Sequence, residues 1–189
     1  MIEDVVIEHG APTLAGIKTG NIFTVRNSSA DIIEEIRTIN GVLTKKGLRL
    51  IPIRKNEHNT LCYLFRPDRL KKDLMASEAE EILESKGYPC KDMNCCIAHL
   101  VKHLMSDECF PHEIGLFIGY PPSDVKSFME NPSEGVKCSG CWKAYSNECE
   151  AEKIFEEYKK CVSLYIKEAK RGKTLESLVV DTRELQAAV

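Results

Sequence analysis

Cys95, His99 and His103 recur at i, i+4 and i+8 within a segment that reads as a helix of about residues 94–105. A step of four residues advances about 40° around a helix axis, so the three side chains share one face. Imidazole and thiolate together suit zinc or iron. Met93, Ile97, Leu100, Val101 and Leu104 fall opposite them, which assigns the His/Cys face to solvent. The alternative is a polar helix face that happens to use histidine. A second set is Cys138-Ser139-Gly140-Cys141. A CxxC pair can chelate a metal or act as a dithiol, and a complete zinc site needs more ligands from elsewhere in the fold. Cys95, Cys96, His99 and Cys149 are the available sources; otherwise the thiols are incidental. A third set is His112-Glu113, placed by Pro111 in the first turn of a short helix. Glu113 suits the positive end of the helix dipole, and His112 there is a base or a ligand. The plainer alternative is a capping glutamate beside a histidine bonded to a loop.

The elements that must position these residues follow from periodicity and turn chemistry. Asn21–Val25 reads as a strand after a start punctuated by Gly10, Gly16 and Gly20. Ile32, Ile33, Ile36, Ile39 and Leu43 repeat at helical spacing in a helix capped by Ser29, running to Lys46 and ended by Gly47. Leu48–Arg54 and Thr60–Arg66 form a hairpin around Lys55–Asn59, with Pro52 favouring an edge position. Pro67 opens a short helix, and Ser77 with Glu80 makes a capping-box pattern for the next. Two short helices flank the turn Gly119–Pro122. That pair has the outline of a helix-turn-helix, yet its second helix carries Asp124 and Glu130 and one base, Lys126, which is poor chemistry for phosphate. Lys137–Tyr145 reads as one strand carrying Trp142. Asn147 then caps the clearest helix, with Ala151, Ile154, Phe155, Tyr158, Cys161, Val162 and Tyr165 as its apolar stripe. The expected architecture is α+β: a small antiparallel sheet packed against several helices, one domain over 1–189, with 174–189 a flexible or docking tail.

At 189 residues the chain can bury a full core without a staple. A net charge of −3 gives no global attraction for nucleic acid or anionic lipid, and no apolar run approaches the ~20 residues of a membrane span. Nine cysteines, an odd number behind an acidic start without a signal-peptide pattern, point to reduced thiols and a cytoplasmic protein. No glycine-rich phosphate loop and no GxSxG are present. Lys18 in the Ala15–Gly20 turn, and Arg66, are weaker leads toward an anion.

Three segments carry a resemblance: Ala11–Lys18, Phe110–Val125, and Cys138-Ser139-Gly140-Cys141-Trp142-Lys143-Ala144-Tyr145. On them the chain resembles an uncharacterised bacterial family, domain of unknown function 3793, across almost its whole length. The resemblance implies a stand-alone protein with no established activity. Genes of the family sit near flavodoxin and iron-uptake genes, which implies redox or metal physiology. Its members often carry a cysteine just before the Ala-Pro pair, where this chain has Gly10.

The expectation is a metal- or thiol-binding accessory protein in redox or metal homeostasis. Cys95, His99, His103, His112, Cys138 and Cys141 would be ligands to zinc or iron, Glu113 would orient His112, and a redox protein would be the partner. A small enzyme using Cys138 as nucleophile, with His112 and Glu113, is the first alternative. An interaction module without chemistry is the second.

Overall fold

A computed structural model of the chain describes residues 2–27, 31–106 and 110–183. The architecture is α+β, with a three-stranded antiparallel sheet among helices. Its residue contacts divide into two compact units, Met1–Asp68 with Tyr158–Val189, and Arg69–Glu157.

The first unit is built on the sheet. It begins with helix α1 (Ile2–Leu14), where the sequence suggested only glycine-punctuated chain. Gly10 and Pro12 are both poor helix formers, and Pro12 offers no amide to the helix ladder. Burial outweighs those local costs: Val6, Ala11 and Leu14 are fully inaccessible. Gly10 is where the backbone comes closest to a strand; a Cβ there would lie 2.5 Å from Leu64 Cδ2. Strand β1 (Gly20–Arg26) pairs antiparallel with the central strand. Helix α2 (Ile32–Leu43) follows. The expected cap Ser29 lies outside the described residues; Asp31 is the N-cap, accepting the Ile33 amide at 3.0 Å. A 3-10 turn, Thr44–Lys46, continues to Gly47. Strands β2 (Arg49–Lys55) and β3 (Asn59–Phe65) form the expected hairpin, giving the order β1-β3-β2. Pro52 sits on the edge strand, and the register slips between it and Arg54, where an absent amide costs no ladder bond.

Arg66 closes this unit. It is 2% exposed. It donates to Thr13 O (2.7 Å), Leu14 O (2.8 Å), Val180 O (2.8 Å) and Thr182 Oγ1 (2.9 Å). Helix α1 has no basic residue in its last turn, so Arg66 supplies the positive charge that its terminal carbonyls favour. The weak anion-site expectation for Arg66 gives way to this role as a clamp. Lys18 is also buried, its Nζ 5.7 Å from the Tyr158 ring centre.

The second unit is mainly helical. Helix α3 (Pro67–Leu74) leads into it from the hairpin. Helix α4 (Ser77–Ser85) has Ala76 at the N-cap with no side-chain bond, so the capping box read at Ser77 is not formed. Helix α5 (Met93–Met105) is capped by Asp92, which accepts the Cys95 amide at 2.9 Å. Helices α6 (Ile114–Phe117) and α7 (Pro122–Glu130) flank the expected turn. The segment read as one strand, Lys137–Tyr145, is instead a tight hairpin, β4 (Cys138–Ser139) with β5 (Lys143–Ala144). Gly140 makes the reversal: its amide donates to Trp142 O at 3.0 Å, and any Cβ there would overlap the Phe155 ring. Helix α8 (Glu148–Lys170) starts as expected at Asn147, whose Oδ1 accepts the Glu150 amide at 3.2 Å, and the division between units falls within it.

Residues 174–183 return to the first unit. Helix α9 (Leu175–Leu178) buries Leu175 and Leu178. The Val180 amide donates to Leu14 O at 3.0 Å, and Lys46 Nζ donates to Val179 O at 2.9 Å.

Candidate functional site

The chemistry-bearing residues of the Arg69–Glu157 unit gather at two places. One is a cavity of about 320 Å³ between α6, α7 and the β4–β5 hairpin. Phe110, Tyr120, Val125, Phe128 and Trp142 provide apolar wall, and His112 and Lys143 provide basic groups. The rings are set by short-range packing. Tyr120 and Trp142 lie 5.0 Å apart at 32°, and Phe155 meets Trp142 edge-on at 4.5 Å. Edge-on and offset contacts of this kind hold aromatic groups in defined orientations. Tyr120 also ties α6 to the hairpin, its hydroxyl donating to Cys141 O at 2.7 Å.

Asp124 is the polar anchor of the cavity and the site residue that sequence reading passed over. It is 3% exposed. Its Oδ2 accepts Trp142 Nε1 at 2.8 Å. Its Oδ1 accepts the Tyr145 amide (3.0 Å), the Ser146 amide (3.0 Å) and Ser146 Oγ (2.9 Å). Burial alone would raise its pKa, but these donors outweigh burial and hold the carboxyl below the usual aspartate range. One side chain in the first turn of α7 therefore fixes both the indole and the exit of the hairpin. The available signal was an acid at a helix start with a tryptophan 18 residues on, which is too common a pattern to single out.

The other place is a cluster of Tyr88, His99, His103 and Glu113. His99 and His103 stand one turn apart on α5, ring centres 4.4 Å apart, and the Tyr88 ring lies 4.4 Å from His99. Glu113 is 4% exposed. It accepts the Tyr88 hydroxyl at 2.9 Å and faces His103 Nδ1 at 3.7 Å. Burial, with the Glu113 carboxylate beside it, drives the Tyr88 pKa strongly upward, so the phenol stays a donor. Burial lowers the His99 pKa, the nearby His103 and Lys102 charges add to that, and Glu113 opposes. Among the described residues, His99 Nε2 is the buried side-chain nitrogen or oxygen left without a hydrogen-bond partner.

The His face of α5 is thus not its solvent face. His99 and His103 are half-buried against Tyr88, while Asn94, Cys95, Ala98 and Lys102 are exposed. Tyr88 and Glu113, from the segments before and after α5, cover that side. Likewise Glu113 does not orient His112. The α6 start separates these neighbours: Glu113 is the N-cap with no side-chain cap bond and turns toward Tyr88 and His103. His112 is exposed, its imidazole against Phe110 and Phe128 at 5.7 and 5.1 Å.

The expected ligands accordingly occupy separate places: His99 and His103 in the cluster, His112 at the cavity, Cys95 at the exposed start of α5, and Cys138 and Cys141 on the hairpin. Among the described residues, no three His, Cys, Asp or Glu side chains form a group set to hold a metal ion. Cys109 lies outside those residues. Cys138 donates to Glu148 O at 4.0 Å, and its pKa is raised by partial burial and by Glu148 and Glu152. That environment favours the thiol over the nucleophilic thiolate. The cysteines of the described residues are free thiols. No helix among those residues is long and apolar enough to cross a membrane.

No curated protein and no solved structure matches the chain. The model of one family, described as "Protein of unknown function (DUF3793)", matches residues 6–179. The matched span includes most of α1, the sheet, the aromatic cavity and the His cluster, and the chain belongs to that family.

Proposed function

We propose that this protein is a small-molecule-binding accessory protein whose ligand occupies the aromatic cavity beside Trp142. One observation carries the reading. Two segments read from the sequence as motifs, Phe110–Val125 and Cys138–Tyr145, wall the same cavity of about 320 Å³. A mostly apolar recess with a few convergent polar groups is the general form of a ligand site. Trp142, the chain's one tryptophan, lines the cavity and so reports on its contents. A library of small aromatic and heteroaromatic compounds titrated against Trp142 emission should yield saturable binders that also raise the melting temperature. A ligand at a hundred times its Kd adds about 2.7 kcal/mol of stability. Emission and melting temperature that stay unchanged across the library would remove the reading.

A metal- or thiol-binding role in redox or metal homeostasis is the second reading, and the orphaned His99 Nε2 beside His103 and Glu113 favours it. Two imidazoles and a carboxylate are donor types that zinc and iron accept, although these three would have to reorient to share one ion. A redox protein partner belongs to this reading. Protein purified anaerobically without a His tag should then contain close to one equivalent of metal by elemental analysis and lose stability on chelation. Below about a tenth of an equivalent, with chelator-insensitive stability, the metal reading falls. Free thiols throughout the described residues support a cytoplasmic, reducing setting for either reading.

A further inference from the structure

We infer that the cavity selects a planar aromatic carboxylate, an inference that rests on the small-molecule reading above. Size comes first. At about 320 Å³ the cavity lies at the small end of ligand sites, which run about 300–1,000 Å³, so one or two fused rings fill it. Shape comes second. The rings of Tyr120, Phe128 and Trp142 line the cavity, and aromatic walls favour a planar ring that can meet them edge-on or offset over a puckered one.

Charge decides the remaining part. Lys143 Nζ donates to Pro132 O at 2.8 Å and lies 5.8 Å from the Phe128 centroid. An ammonium has three donors, so two remain for a ligand. The His112 imidazole packs on the same Phe128 ring at 5.1 Å. Two basic groups therefore flank one wall. Among the described lining residues the carboxylate is Asp124, and both of its oxygens are already committed to Trp142, Tyr145 and Ser146. Asp124 keeps its charge but spends both oxygens on those donors, whereas the Lys143 ammonium still has donors for a ligand, and a half-enclosed apolar recess strengthens its attraction for an anion. The same arrangement argues against a quaternary ammonium ligand, which also favours aromatic walls, because Lys143 already occupies the cation position over Phe128.

The test uses the full chain, isothermal titration calorimetry and four probes at pH 7: 2-naphthoate, 2-naphthamide, cyclohexanecarboxylate and phenyltrimethylammonium. The naphthoate should bind at least tenfold more tightly than the isosteric amide and than the non-planar acid, and the ammonium should be weakest. Lys143→Met should cut the acid-over-amide preference to below about threefold while amide binding is retained. His112→Gln, at an exposed position, should reduce the preference part-way. Equal binding of acid and amide, a preference unchanged in both variants, or tighter binding of the ammonium would overturn the carboxylate inference and leave the cavity reading intact. Binding by none of the probes and by nothing in the wider library would overturn both.

Discussion

Asp124 sits where a carboxylate is expensive to bury, and it survives there because every partner is a donor aimed at it. Asp124→Asn keeps the shape but turns an amide NH2 toward donors. It should cost about 1–3 kcal/mol, read by chemical denaturation, with a red shift of Trp142 emission as the indole loses its partner. A variant as stable as the parent would show that the network contributes nothing. Because the folded-state pKa of Asp124 is depressed, its stabilisation is present above the ordinary value of 3.8 and is lost as pH falls through the lower folded value. His99 has the other charge type and the same direction with pH. Its folded pKa is lowered from 6.5, so the unfolded chain binds the proton more readily and stability falls as pH drops below that point. The groups around it are Tyr88, His103, Lys102 and Glu113. Denaturation midpoints taken between pH 7.5 and 5 should fall more steeply for the parent than for His99→Gln; parallel curves would refute this. Both residues were visible in sequence as types. Their roles were not, because burial and partner orientation come from other elements than the one that carries each residue.

Helix α1 shows the limits of local rules at the element scale. Gly10 and Pro12 argue against a helix, yet Ile2, Val6, Ile7, Ala11 and Leu14 make its buried face and α1 forms. Contact with Leu64 explains the glycine. Gly10→Ala gains about 1 kcal/mol of helix propensity but forces a methyl toward Leu64, and overpacking of this sort costs about 1–3 kcal/mol. The net expectation is a loss of about 0–2 kcal/mol. Trimming the neighbour should compensate: in a double-mutant cycle, Gly10→Ala with Leu64→Val should show favourable coupling of about 0.5 kcal/mol or more. Independent, additive effects would sink the steric explanation. Arg66 gives the complementary case, an element end completed from another strand. Arg66→Met leaves Val180 O without the guanidinium and reduces Thr13 O and Leu14 O to the Gly16 and Val180 amides, and should cost about 1–3 kcal/mol; Arg66→Lys should recover only part, since an ammonium cannot span that set of acceptors. Where the expectations succeeded, as for α2, the β2–β3 hairpin and α8, the pattern was long and its caps or turns were local. Where they failed, at α1 and at the Cys138–Tyr145 hairpin, a glycine was answering to a side chain distant in sequence.

Across the whole molecule, the free thiols grade by environment. Burial raises the Cys62 pKa to about 11. Cys96 is pushed to about 12, by burial first and then by the neighbouring Cys90 and Cys95 thiols. Cys95, Cys141 and Cys149 are exposed. Pulsed alkylation of the native protein at pH 7.5, read by peptide mass spectrometry, should label those exposed thiols first and Cys62 and Cys96 last by at least a hundredfold. Fast labelling of Cys96 would mean that α5 opens readily. A single thiol labelled far ahead of all others, Cys138 in particular, would revive a nucleophile that its surroundings argue against. The family match over residues 6–179 extends through both compact units.

Composition and periodicity by themselves determined an α+β chain, the order of most of its elements, and the residues able to do chemistry, because these depend on neighbours within a turn or two. Which of those residues meet was decided only in three dimensions. His112 and Glu113 are adjacent in sequence but serve different surroundings, since the start of α6 sends one ring to Phe128 and one carboxylate to Tyr88. Trp142 and Asp124 are far apart in sequence and form one hydrogen-bonded unit. A side chain's direction and burial are set by everything that packs around it, and spacing along the chain carries no record of that.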